Sequence, residues 1–232
     1  MRSIRLTAGR RTASLAAALA ALATTGVAPA AGAQQGPSAE AVMRRAVTAY
    51  EKVRTVEATF EQTLVNPLTG TTATANGVLR QRRPNQLAVR FTQPAGDVVI
   101  SDGKAVWVYL PSSAPKQVLK LPIGTNAAGA LDLAAQFLER PEERYTMTLE
   151  GSETLDGRTT TVLSLVPRTP MQFTAARIWV DAEGVIRKLQ VTEGSGVVRT
   201  IRFTTLRLNV PVPASAFGFS PPAGVKVFDQ TG

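Results

Sequence analysis

The sequence predicts a mainly β fold: an antiparallel sheet of roughly ten or eleven short strands with two helices. Three observations predict it. From Val56 onward, apolar residues recur at every second position in run after run, the period of a half-buried strand. Tight-turn sequences separate these runs, among them Asp102-Gly103, Asp156-Gly157 and Gly194-Ser195-Gly196. Helical spacing occurs in two segments, so strand follows strand and βαβ units are not indicated.

In chain order, Ser38 can cap a helix running to about Val53, with Val42, Ala46, Val47, Tyr50 and Val53 near helical spacing. Val56, Ala58, Phe60 and Leu64 then alternate with polar residues as a first strand, closed by the Asn66–Gly70 turn. A second strand covers Thr72 to Arg82. A third puts Leu87, Val89 and Phe91 on one face and Ala88 and Arg90 on the other. Val98–Ser101, Ala105–Leu110 and Lys116–Leu121 continue the series. Ala127 to Leu138 interrupts it as a short apolar helix ending before Pro141. Strands resume at Tyr145–Glu150, Thr159–Val166, Ala176–Asp181, Ile186–Glu193 and Val197–Leu208, with a last one at Val225–Phe228.

Residues 1–33 read as an export signal. Arg2, Arg5, Arg10 and Arg11 form the basic region, Ala13 to Ala23 is the apolar stretch, and Ala31-Gly32-Ala33 is a small-x-small cleavage site. Residues 34–232 are then one domain in the periplasm. The net charge of +9 includes those four Arg, so the processed chain carries +5. Nucleic acid is not an expected partner: Arg80 and Arg82 alternate with Leu79 and Gln81 on an outer strand face, and Arg199 is out of phase with Arg202.

The chain has no His and no Cys. That excludes a Ser-His-Asp triad, imidazole and thiolate metal ligands, disulfides and a lipid-modified cysteine. Asp102, Asp156 and Asp181 sit at strand turns, and no carboxylate pair stands out. No catalytic residue, metal or cofactor is expected, and the protein is read as a non-enzyme. Sequential strands must still hide one apolar face. A sandwich or closed barrel would do so with a solid core; an incomplete barrel with helices across its opening would enclose an apolar cavity. Periodicity leaves both open.

Three stretches add to this reading. They are Val56-Glu-Ala-Thr-Phe60-Glu-Gln62 after a helix; Gly77-Val-Leu-Arg-Gln-Arg-Arg83-Pro84-Asn85 followed by Gln93-Pro94 and Val99-Ile-Ser101-Asp102-Gly103-Lys104-Ala-Val-Trp107-Val-Tyr109; and Phe217-Gly-Phe219-Ser-Pro221-Pro222-Ala-Gly224-Val225-Lys-Val227. In this order and at this spacing they resemble the outer-membrane lipoprotein carrier family, LolA. The resemblance implies a single curved antiparallel sheet of about eleven strands forming an unclosed barrel, with helices as a lid over an apolar cavity. It implies a soluble monomeric carrier that takes the acyl chains of lipoprotein cargo from an inner-membrane ABC transporter to an outer-membrane receptor. The family receptor is cysteine-anchored, so this chain resembles the carrier.

By the same resemblance Arg83 matches the lid latch, an arginine bonding carbonyls of a lid helix. Phe60, Leu79, Leu87, Val89, Phe91, Val99, Trp107, Leu189 and Val191 are cavity-wall candidates, and Leu131 and Phe137 lid candidates. Leu87 and Val89 stand where the family often has aromatics. Two other readings use the same fold. One is a carrier of a hopanoid or glycolipid; the other is a lipoprotein-sensing regulatory module, whose usual further C-terminal domain is not expected after residue 232.

Overall fold

In the computed structural model, residues 36–123 and 133–231 are described. The predicted export signal, its cleavage site and Leu131 lie outside them. Helix α1 covers Ala39–Glu51 and starts at Ser38, whose hydroxyl accepts the Ala41 N–H at 3.2 Å. Its apolar stripe of Val42, Met43 and Ala46 is fully buried. Two short helices, α2 (Leu133–Leu138) and α3 (Pro141–Arg144), follow the sixth strand. No helix among the described residues is long and apolar enough to cross a membrane.

The strands are β1 (Thr55–Asn66), β2 (Thr71–Arg82), β3 (Gln86–Gln93), β4 (Val98–Asp102), β5 (Ala105–Tyr109), β6 (Gln117–Pro122), β7 (Tyr145–Leu155), β8 (Arg158–Pro167), β9 (Phe173–Asp181), β10 (Ile186–Glu193), β11 (Val198–Leu208) and β12 (Lys226–Asp229). They form one twelve-stranded sheet in the order β12-β6-β5-β4-β3-β2-β1-β11-β10-β9-β8-β7. The end strands β12 and β7 do not pair with each other, so the curved sheet is unclosed. The expected mainly β architecture therefore holds: each strand segment read from the sequence is present, and they come to twelve where about eleven were expected. The twelfth is also an exception to the antiparallel expectation: β12 runs parallel to β6. β12 does not follow β6 through a tight turn: residues 209–225 form a crossover from β11 to the β6 edge, including a 3-10 turn at Ala214–Phe217, and this lets the last strand run parallel.

That crossover covers part of the outer face. Val212 and Phe217 pack with Ala88, Val98 and Ile100, and Arg90 donates to the Gly218 carbonyl at 2.9 Å. The rest of the outer face carries ion pairs. Glu57 of β1 sits between Arg80 of β2, at 2.8 Å, and Arg207 of β11. Hydrogen bonding from Arg80, and then from Arg207, outweighs partial desolvation and holds the Glu57 carboxyl below its ordinary range. The main core lies on the inner face, between the sheet and helices α1 and α2.

Phe137 of α2 is fully buried, with ring centroids 5.7 Å from Phe173 and 6.2 Å from Tyr145. Truncation there removes an aromatic from a packed cluster. Phe137→Ala is expected to lower stability by about 3–5 kcal/mol, read as a shift of the urea midpoint with an unchanged slope.

Candidate functional site

A cavity of about 320 Å³ lies between α1 and the inner face of the sheet. Its roof is Ala46, Ala49, Tyr50 and Val53. Its wall comes from alternate residues of adjacent strands: Val56 and Phe60 of β1, Leu79 of β2, Val89 and Phe91 of β3, Val99 of β4, and Ile201, Phe203, Leu206 and Leu208 of β11. Alternation puts these side chains on one face because the strand period is two, and in β11 a bulge opposite Thr59 and Phe60 shifts the phase so that Leu206 and Leu208 join Ile201 and Phe203 on that face. Phe60 and Phe91 meet edge to face with ring centroids 5.6 Å apart. Gly77 makes room for this pair, since a Cβ there would lie 2.7 Å from the Phe60 ring.

Of the predicted wall residues, Phe60, Leu79, Val89, Phe91 and Val99 line the cavity. Leu87 and Leu189 are buried in the adjoining core, with Val191 packed against it. Trp107 requires a correction, because it faces away from the cavity. Across the β4–β5 hairpin Val99 pairs with Val108 and Ile100 with Trp107. Cross-strand partners share a face, so Trp107 follows Ile100 to the outer side. There its ring lies against Phe219, 5.8 Å between centroids, and its indole N–H donates to Asp102 at 2.8 Å. Phe137 packs beneath α2 beside the cavity, and its neighbour Leu138 lines it. The Gln136 carbonyl of α2 accepts the Tyr145 hydroxyl at 3.1 Å. Burial pushes the Tyr145 phenol above its ordinary pKa, which keeps the hydroxyl a donor.

Arg83 extends from the end of β2 to the C-terminal end of α1. Its Nη1 donates to the Tyr50 carbonyl at 3.1 Å and to the Val53 carbonyl at 3.4 Å, and its guanidinium lies 4.0 Å from the Tyr50 ring centre. The Tyr50 carbonyl also accepts the Val53 N–H at 3.0 Å. Arg83 is thus a second donor to an oxygen with two lone pairs, where an unpaired carbonyl is the simpler expectation. Arg82 points the other way, to Gln86 at 2.7 Å and the Phe217 ring.

Two further features were invisible in the sequence. Asn209 clamps the same helix end: its Oδ1 accepts the Arg54 N–H at 2.8 Å and its Nδ2 donates to the Lys52 carbonyl at 3.2 Å. The β9–β10 turn brings Gly184 and Val185 to the cavity edge against α1. Asp181 fixes this turn, accepting the Val185 N–H at 2.8 Å and pairing with Arg187 at 2.6 Å. Polar cavity residues also escaped the alternation argument, notably Gln62 and Arg199.

Comparison with known proteins bears on this geometry. The family described as outer membrane lipoprotein carrier protein LolA matches residues 51–220. The outer-membrane lipoprotein carrier protein of Nitrosospira multiformis is 28% identical over 182 residues, covering 78% of this chain and 84% of that protein. Its counterpart from Proteus mirabilis is 29% identical over 179 residues, covering 77% and 84%. Among solved structures, an uncharacterized conserved protein from Thermus thermophilus aligns with a TM-score of 0.53 at 13% identity, covering 83% of this chain and 99% of that one. At that identity the likeness is one of fold.

Proposed function

This chain belongs to the outer-membrane lipoprotein carrier family, LolA, and from that premise we propose that it carries acylated lipoproteins across the periplasm. The cargo's acyl chains enter the cavity beneath α1. The chain receives them from an inner-membrane ABC transporter and passes them to an outer-membrane receptor as a monomer, with no chemical step. The observation that carries this reading is a mostly apolar cavity on the inner face, under a helix whose C-terminal end is held by Arg83 and Asn209. A cavity of about 320 Å³ is at the bottom of the ~300–1,000 Å³ range of small-ligand sites. A multi-chain lipid anchor needs more, so loading must move the roof.

The energetics favour a roof that resists. Burying acyl chain yields about 0.8 kcal/mol per CH₂, so a long chain fully enclosed is released very slowly. A carrier that spends part of this on displacing α1 retains its load less firmly and can hand it on. The deciding experiment is native mass spectrometry with lipid extraction of protein purified from its own periplasm. Bound acylated lipoprotein supports the reading; a free hopanoid or glycolipid in its place overturns it in favour of another lipid carrier.

The wall itself is testable at Leu206, which lines the cavity and is half-buried, so that the fold tolerates a change there. Leu206→Glu sets a carboxylate against apolar surface with no partner supplied, a cost of about 1–3 kcal/mol to any acyl chain beside it. Acyl-probe affinity is expected to fall about tenfold, with thermal unfolding little changed. Undiminished affinity removes Leu206 from the wall.

A further inference from the structure

The cavity has unlike ends. One is closed by Arg83, which follows the Arg82–Thr55 pair. Gln62 lies seven residues further along β1, about 23 Å away at ~3.3 Å per residue. Beside it on β11, opposite Val191 and Leu64, is Arg199. Both line the cavity, and the Arg199 side chain is 39% exposed, so this end opens to solvent. The polar residue at the other end, Gln81, is 6% exposed. A lipid with its tails in the cavity therefore leaves its head at Gln62 and Arg199.

Arg199 does not present an open positive charge. Its Nη2 donates to Glu193 Oε1 at 3.3 Å, and Glu193 is 36% exposed at the same rim. The guanidinium has five N–H donors, and Gln62 adds an amide, so donors remain for neutral acceptors. An anion approaching Arg199 meets the Glu193 carboxylate too, and like-charge juxtaposition is how interfaces reject unwanted partners.

We propose that Gln62, Arg199 and Glu193 form a head-selecting rim: it accepts the neutral ester and amide carbonyls of an acylated head and rejects a phosphate. The proposal rests on the acyl-carrier reading above. It gives a protein shuttling between two phospholipid surfaces a way to leave the phospholipids behind.

The test displaces a fluorescent apolar dye from the cavity with two probes of equal chain length. One is a dipalmitoylglyceryl-cysteine peptide with both termini blocked; the other is dipalmitoyl phosphatidylglycerol. The blocked lipopeptide is expected to bind about tenfold tighter. Glu193→Gln keeps an acceptor for Arg199 but loses the charge. It is expected to raise phosphatidylglycerol affinity about fivefold, to leave the lipopeptide within about twofold, and to lose that gain in 1 M salt. Arg199→Met is expected to weaken the lipopeptide about fivefold more than it weakens the dye. Equal responses of the two lipids to Glu193→Gln, or no response, overturn the rim assignment alone. If neither lipid displaces the dye from the unaltered protein, the acyl-carrier reading falls, and this proposal with it.

Discussion

Arg83→Leu is expected to produce a carrier that loads readily and unloads poorly. Leucine lacks the donors that reach Tyr50 and Val53 and the cation that lies over the Tyr50 ring. Charge-assisted hydrogen bonds and a ring contact at a half-buried position together come to about 2 kcal/mol. Removing them shifts the closed-to-open ratio of the empty protein by about 30-fold. Because loading no longer opposes those contacts, cargo binds more tightly by the same factor. The check is the rate at which an acylated peptide passes from the loaded carrier to acceptor vesicles. Transfer within about twofold of the unaltered protein would sink the latch assignment, and Arg83→Lys should fall between the two. The location of the contact suggests how it acts. α1 ends at Glu51 and β1 begins at Thr55, so Arg83 and Asn209 grip the helix at its covalent root. The thirteen residues of α1 project about 20 Å from there at ~1.5 Å each, and a small rotation at the root moves the far end by many ångströms.

Gly184→Ala is expected to unseat the same helix from the other side. Gly184 has φ +86, and a Cβ there would lie 2.6 Å from the Arg45 carbonyl oxygen and 2.9 Å from its carbon. Both atoms are α1 backbone, which cannot rotate away as a side chain would, so helix or turn must shift. Backbone strain and overpacking together cost about 2–4 kcal/mol. Gly157→Ala separates the two contributions. Gly157 has φ +76 but meets nothing within 4 Å, so it carries the backbone penalty without the collision. Gly184→Ala should therefore be the less stable of the two in urea, and it alone should speed hydrogen exchange in α1 and dye entry to the cavity. Equal stability and equal exchange would show that the turn does not seat the helix.

These two residues mark how far the sequence could be read. Arg83 was accessible through the family resemblance, and local strand parity agrees with it: Arg83 is in phase with Leu79, and Arg82 takes the other face. The same parity placed Leu87, Val89 and Phe91 inward and Ala88 and Arg90 outward, as the structure has them. It failed at Trp107, because the side taken by a second strand depends on the register across its hairpin. It also fails along β11, where parity with Ile201 and Phe203 would turn Leu206 and Leu208 outward; the bulge opposite Thr59 and Phe60 resets the phase and brings both to the cavity wall. Gly184 and Asn209 carry no local signal. A Gly at a hairpin turn and an Asn after a strand are ordinary turn residues until the partner helix, more than 130 residues away in the chain, is in place.

By itself, then, the sequence determined the strands and their order, the helix that precedes them, the inner and outer faces of the first three strands and the family to which the chain belongs; it missed the short helix α3 and the 3-10 turn. Those properties follow from a period of two, from turn chemistry and from motif spacing, each confined to a few neighbouring residues. The tertiary structure alone decided that the twelfth strand returns parallel to β6, that Trp107 lies outside, and that the space beneath α1 stays unfilled with Gln62 and Arg199 at its open end. A cavity is the mismatch between two packed surfaces, and no single segment of chain records it.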